Sequence, residues 1–118
     1  MPTVDLFDET YVAVVPEVLA PRITAPSLLA EWFPRLSFDV FMDRGEKGTR
    51  WSITGELEGS MEVWLEPMAR GTVVHWFVRG EPTTSAPRDV AGRYVDMINA
   101  RMFAFKDAAE GADDSAVG

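Results

Sequence analysis

Hydrophobic and polar residues alternate most cleanly over "LSFDVFMD" (36–43), where Leu36, Phe38, Val40 and Met42 fall on one face. That period of two predicts a strand. The next segment, "TRWSITGELEG" (49–59), puts Trp51, Ile53 and Leu57 on one face and Arg50, Ser52, Thr54, Glu56 and Glu58 on the other. One packed and one wet face is the pattern of an antiparallel sheet. The charged, glycine-bearing "RGEKG" (44–48) between them predicts a hairpin, and Gly55 and Gly59 mark places for a bend or bulge. "SMEVWLEPMARGTVVHWFVRG" (60–80) reads as two more strands around "PMARG", and "ETYVAVVP" (9–16) as an earlier one ending at a proline.

Helical spacing appears in three places. "PEVLAPRI" (16–23) is limited by Pro21 to about one turn. "APSLLAEWFP" (25–34) aligns Leu28, Leu29 and Trp32, and Pro34 closes it. The longest periodic run is "RDVAGRYVDMINARMFAFKDAAEG" (88–111), with Ala91, Tyr94, Val95, Ile98, Met102, Phe105 and Ala109 in one stripe. Thr84 or Ser85 is its expected N-cap, Pro87 lies in its first turn, and Gly111 is its expected stop. The order is strand, two short helices, four antiparallel strands and a long helix. The stripe needs an apolar partner, and the inner face of the sheet is the large one available. An α+β fold follows, with the long C-terminal helix packed on a sheet of about five strands.

At 118 residues the chain is expected to form one domain over 1–110, followed by a small, acidic, flexible tail at 111–118. The first six or seven residues are expected to be loose as well. A formal net charge of -8 argues against nucleic-acid binding, which needs clustered lysine and arginine. No run approaches a membrane span, and "MPTVDLFDET" lacks the basic and apolar regions of a signal peptide. The absence of cysteine removes disulfides, thiol nucleophiles and cysteine-ligated zinc, and fits a cytoplasmic protein.

His75 is the single histidine and the first candidate for acid–base chemistry. Its direction depends on register. With a five-residue "PMARG" loop Val63 faces His75, and Val73, His75 and Phe77 turn inward; with a four-residue loop Trp64 faces His75, and Val74, Trp76 and Val78 turn inward. A slip of one residue inverts the whole strand. The second register gives the cleaner inner face, and it leaves His75 outside as a surface or packing residue. Glu62 and Glu66 share a face but lie roughly 13 Å apart, too far to act jointly. One histidine and scattered carboxylates give no metal-ligand spacing, and neither a nucleophile elbow nor a phosphate loop occurs. Arg101 borders the helical stripe, where a guanidinium could receive a ligand carboxylate or enolate, or snorkel to solvent. Tyr94 is similarly a core aromatic with its hydroxyl at the rim, or a polar contact for a ligand.

A first strand, two short helices ending in "EWFPRL", hairpins with "WLEPMARGTVV" and a long helix ending in "FAFKDAAEG" resemble the START/Bet v 1-like helix-grip (SRPBCC) superfamily, and more narrowly bacterial polyketide cyclase/dehydrase-like proteins. The resemblance covers residues 8–110. It implies a curved sheet wrapped round the last helix, enclosing a cavity for a hydrophobic small molecule such as a lipid or polyketide; some members cyclise or dehydrate polyketides and many bind or carry. The hairpin usual between "WSITG" and "MEVWLEP" is absent here, so the form is shortened. On this geometry Trp51, Ile53, Met61, Val63, Leu65, Val74, Trp76, Tyr94, Ile98, Arg101 and Met102 are the expected ligand-binding residues, with no cofactor and no metal. The same side chains also suit an ordinary core. Trp64, Val73, Phe77, Phe41 and Phe103 are left facing outward, which predicts a homodimer through the sheet face or edge. A cyclase/dehydratase, or a non-enzymatic interaction module, is the alternative to a binding protein.

Overall fold

The computed structural model describes residues 3–83 and 87–117. Strand β1 (Val4–Val12) is followed by helices α1 (Pro16–Ile23) and α2 (Pro26–Trp32). Strands β2 (Leu36–Asp43), β3 (Gly48–Gly55), β4 (Leu57–Met68) and β5 (Gly71–Pro82) come next, and helix α3 (Pro87–Val117) ends the chain. The five strands form one antiparallel sheet in the order β1-β5-β4-β3-β2. Helix α3 lies across its concave face. Among the described residues no helix is long and apolar enough to cross a membrane.

Several boundaries differ from expectation, each for a local reason. β1 starts at Val4, inside the segment expected to be loose, because its backbone pairs with β5 from Val4↔Gly80 to Val12↔Thr72. Val4 is buried, while Asp5 pairs with Arg79 on the outer face. Pro21 does not hold α1 to one turn. It removes one helical hydrogen bond, but Leu19, Ala20 and Ile23 bury one face and the Thr24 amide still closes the end onto the Ala20 carbonyl at 3.1 Å. In β2 the pairing slips between Val40 and Met42, so Met42 opposes Arg50 and leaves the inner face. Helix α3 runs through Gly111 to Val117. A glycine weakens a helix by about 1 kcal/mol relative to alanine but stops it only where the left-handed conformation is adopted. Gly111 is not among the positive-φ residues. The expected N-cap residues Thr84 and Ser85 lie outside the described residues.

The β4–β5 pairing opposes Trp64 to His75 and Val63 to Trp76, the second of the two registers weighed above. The strands continue to Met68↔Gly71, so the turn is the two-residue Ala69–Arg70, with Ala69 at φ 54°. A positive φ there matches the tight hairpin turns that suit twisted strands. Met61, Val63, Leu65, Val74, Trp76 and Val78 consequently face the core.

Trp76 centres that core. Its ring lies 5.9 Å from Trp32, 6.0 Å from Phe33 and 6.4 Å from Trp51, between centroids. Its indole N–H points at the Met102 sulfur, 3.1 Å away. From α3 come Val90, Tyr94, Ile98, Met102, Phe105 and Ala109, whereas Val95, expected in the stripe, is 41% exposed. The spacing from Val90 to Tyr94, Ile98, Met102, Phe105 and Ala109 keeps steps of three and four residues, and Val95 falls just off that line.

Candidate functional site

Alternation along β3 predicts that Glu56 shares the wet face with Ser52 and Thr54. It does not. β3 ends at Gly55, whose φ of 111° breaks the alternation, and β4 begins at Leu57. The turn between them is fixed by three hydrogen bonds. The Glu56 amide donates to the Arg35 carbonyl at 3.1 Å, the Thr83 amide donates to the Glu56 carbonyl at 2.9 Å, and the Thr83 hydroxyl donates to the Gly55 carbonyl at 2.7 Å. A Cβ at Gly55 would lie 2.4 Å from the Arg35 oxygen, so glycine is required both by conformation and by space. The Glu56 side chain is thereby sent inward and left 6% exposed.

Glu56 meets α3 there. Arg93 Nη2 donates to its Oε1, the Tyr94 hydroxyl donates to its Oε2 at 3.2 Å, and Arg35 Nη1 approaches Oε1 at 3.5 Å. Burial pushes the Glu56 carboxyl up, but the hydrogen bonds from Arg93 and Tyr94 and the charges of Arg93 and Arg35 outweigh it and hold the group below its usual range. Tyr94 moves the other way: burial, then the adjacent Glu56 charge and their hydrogen bond, keep the phenol protonated well above its usual range. The pair is a fixed anion with a fixed donor. A depressed pKa makes Glu56 a poor proton acceptor at neutral pH.

This cluster lies in the wall of an open cleft of about 560 Å³. The α2–β2 link supplies Glu31, Trp32, Phe33, Pro34 and Arg35; the β3–β4 turn supplies Glu56; and α3 supplies Arg93, Tyr94, Asp96, Met97 and Arg101. One wall is apolar and the rim is charged. The volume lies within the range of small-molecule sites. Arg101, 42% exposed, makes a single 3.4 Å contact with Glu31, itself 68% exposed, so it snorkels along the cleft rather than lying buried.

Of the eleven expected ligand-binding residues, Tyr94 and Arg101 line this cleft. Trp51, Ile53, Met61, Val63, Leu65, Val74, Trp76, Ile98 and Met102 are packed in the core behind it. Glu56, Arg35 and Arg93 were missed by the sequence reading. Gly55, a glycine next to an acidic residue in an otherwise alternating strand, is the signal that could have found them.

His75 is on the outer face, as the favoured register predicts, yet it is 7% exposed. It stacks on Trp64 with ring centroids 4.3 Å apart and runs parallel to Phe77 at 6.3 Å. Its Nε2 lies 3.1 Å from Glu66, and Nδ1 3.6 Å from Glu9. Neighbouring rings and carboxylates cover it, far from Glu56 on the opposite face. Glu62 is occupied by Arg44 at 2.6 Å and Arg50 at 3.1 Å. Among the described residues no cluster of three metal-ligating side chains occurs.

No protein-family model matches the sequence, and no curated protein is similar to it in sequence. Solved structures are similar in shape. DR_A0006 from Deinococcus radiodurans superposes with a TM-score of 0.67 at 18% identity, over 92% of this chain and 98% of that one. This is the START/Bet v 1-like helix-grip fold. The Aha1 dimer from Colwellia psychrerythraea gives 0.64 at 17% identity, over 91% of this chain and 96% of the other. For Ara h 8.0201 the TM-score is 0.54 at 18% identity, with 94% and 97% covered. In helix-grip terms the cleft opens beside the N-terminal half of the gripped helix. The sheet is the shortened, five-stranded form, because the turn at Gly55–Glu56 joins β3 directly to β4.

Proposed function

We infer that this helix-grip protein is a cytoplasmic binder of a hydrophobic small molecule, lipid- or polyketide-like, held in the cleft between α3 and the α2–β2 link. The observation that carries the reading is the juxtaposition, in one cleft, of an apolar wall (Trp32, Phe33, Pro34, Met97) with a few fixed polar groups around buried Glu56. That is the usual make-up of a small-molecule site. Tyr94 and Arg101 are its polar contacts. The packed residues Trp51, Ile53, Met61, Val63, Leu65, Val74, Trp76, Ile98 and Met102 lie behind it, reached by a ligand only if Trp32 and Phe33 repack. At roughly 25 cal/mol per Å², burying about 300 Å² of apolar ligand surface is enough for micromolar binding before ordering costs. Binding is favoured over cyclase or dehydratase catalysis because the one buried carboxylate in the cleft is held ionised by its partners and the histidine lies on the opposite face.

The test is native mass spectrometry of the freshly purified protein for a co-purified lipid, followed by tryptophan-fluorescence titration with fatty acids and aromatic polyketides. Trp32 lines the cleft and reports occupancy directly. An empty protein that responds to no member of the panel sinks the reading.

A second surface supports self-association. Phe7 on edge strand β1 and Phe41 on the opposite edge strand β2 stand on the outer sheet face, 68% and 67% exposed. With half-buried Trp64 and Phe77 on the strands between them, they give this face the aromatic character typical of interfaces. A homodimer through the sheet face is the proposed assembly.

A further inference from the structure

The cleft holds three guanidinium groups, and they are not equally committed. Arg93 is engaged with buried Glu56. Arg35 has its backbone pinned, since its carbonyl accepts from the Glu56 amide at 3.1 Å, but its side chain is 70% exposed and touches Glu56 at 3.5 Å. Arg101 makes one contact, at 3.4 Å, with the exposed carboxylate of Glu31. A guanidinium carries five N–H donors; the Arg101–Glu31 contact, between exposed partners, contributes little to stability, and Arg35 spends one donor on a long contact with buried Glu56. Arg35 and Arg101 thus stand at the cleft with most of their donors available, on backbones that are held in place.

The acidic groups differ in the opposite sense. Both Glu56 oxygens already accept, one from Arg93 and one from Tyr94, and its charge is balanced where it lies. Glu31 is free to turn into solvent. Asp96, also in the wall, is the one carboxylate left to attract a cation. A flat carboxylate fits the guanidinium fork with two parallel hydrogen bonds, which a hydroxyl or an ammonium cannot make.

Resting on the binding reading above, we propose that the ligand is an anionic amphiphile. Its carboxylate is received by Arg35 and Arg101, displacing Glu31, and its apolar part lies along Trp32, Phe33 and Met97. The overall charge of -8 repels such a ligand at long range. Recognition is therefore local to these two side chains, since contacts at hydrogen-bond distance are screened far less than the long-range repulsion.

Three probes with one tail separate the cases: dodecanoate, dodecanol and dodecylamine, each below its aggregation concentration, titrated by calorimetry into the wild-type protein and the R35Q/R101Q variant. Dodecanoate is expected to bind at least about tenfold tighter than dodecanol, because a bidentate charge-assisted pair adds that much. In the double variant the advantage of the acid over the alcohol is expected to vanish. Both arginines are exposed, and a thermal melt verifies that the variant folds. Equal binding of acid and alcohol, tightest binding of the amine, or an acid preference that survives the double substitution overturns the proposal while leaving hydrophobic binding intact. Binding of none of the three overturns the binding reading itself, and this proposal with it.

Discussion

Replacing Glu56 by glutamine keeps the shape of the side chain and removes its charge. The effect follows from its three partners. Hydrogen bonds to a charged group contribute about 1.5–3 kcal/mol, against about 1 kcal/mol for a neutral pair. Glutamine retains one acceptor oxygen for Tyr94 and presents an N–H₂ where Arg93 donated. The Arg93 contribution is discounted because that side chain is 52% exposed. The net loss at neutral pH is about 1–2 kcal/mol, or about 4–8 °C in melting temperature for a domain of this size. The pH dependence is the sharper test. In the folded protein the Glu56 pKa lies below its ordinary 4.5, so its contribution is complete above that value and is lost as pH falls through the folded one. Urea denaturation of wild type and E56Q, at neutral pH and then in steps from about pH 5 to about pH 3, measures the gap between them. That gap is expected to be full at neutral pH and to close in acid as the wild-type carboxyl takes up its proton. Equal stabilities at neutral pH, or a gap that stays constant down the acid series, would refute the reasoning.

Three further outcomes follow from particular contacts. G55A places a Cβ against the Arg35 oxygen at an unfavourable φ; it is expected to destabilise the fold by about 2–3 kcal/mol in denaturant melts, more than an exposed Gly92→Ala control. W76A removes the centre of the aromatic core, with an expected loss of about 3–5 kcal/mol and collapse of the near-ultraviolet circular dichroism from Trp32 and Trp51; a loss below about 2 kcal/mol would contradict tight packing there. For self-association, sedimentation equilibrium is expected to show a concentration-dependent dimer in wild type and a monomer in F7S/F41S, and a wild type that stays monomeric at high concentration removes the sheet-face interface.

Where side-chain period governs, the sequence is a faithful guide. β2 occupies the residues that its alternation marks, and the β4–β5 register follows from which choice gives an unbroken apolar inner face. The candidate site is less legible because its makers break period. Glu56 belongs to the outer series by counting and to the inner wall by virtue of a glycine's backbone angle. Arg35 reads as a loop residue after a proline, and its place beside Glu56 depends on a hydrogen bond between residues far apart in sequence. His75 shows the converse: its face is readable, but its burial comes from Trp64, Phe77, Glu9 and Glu66 on three strands, a tertiary fact.

Helix α3 is fastened near both ends by different chemistry. At one end Arg93 and Tyr94 reach Glu56; at the other Lys106 donates to the Tyr11 carbonyl at 2.8 Å and Glu110 accepts from the Ala13 amide at 2.9 Å. A bar bolted at two points does not slide; when one bolt loosens it swings about the other. Each bolt turns on a carboxylate held below its usual range by its hydrogen bonds, Glu56 beside the cleft and Glu110 at the far end, so acid loosens both.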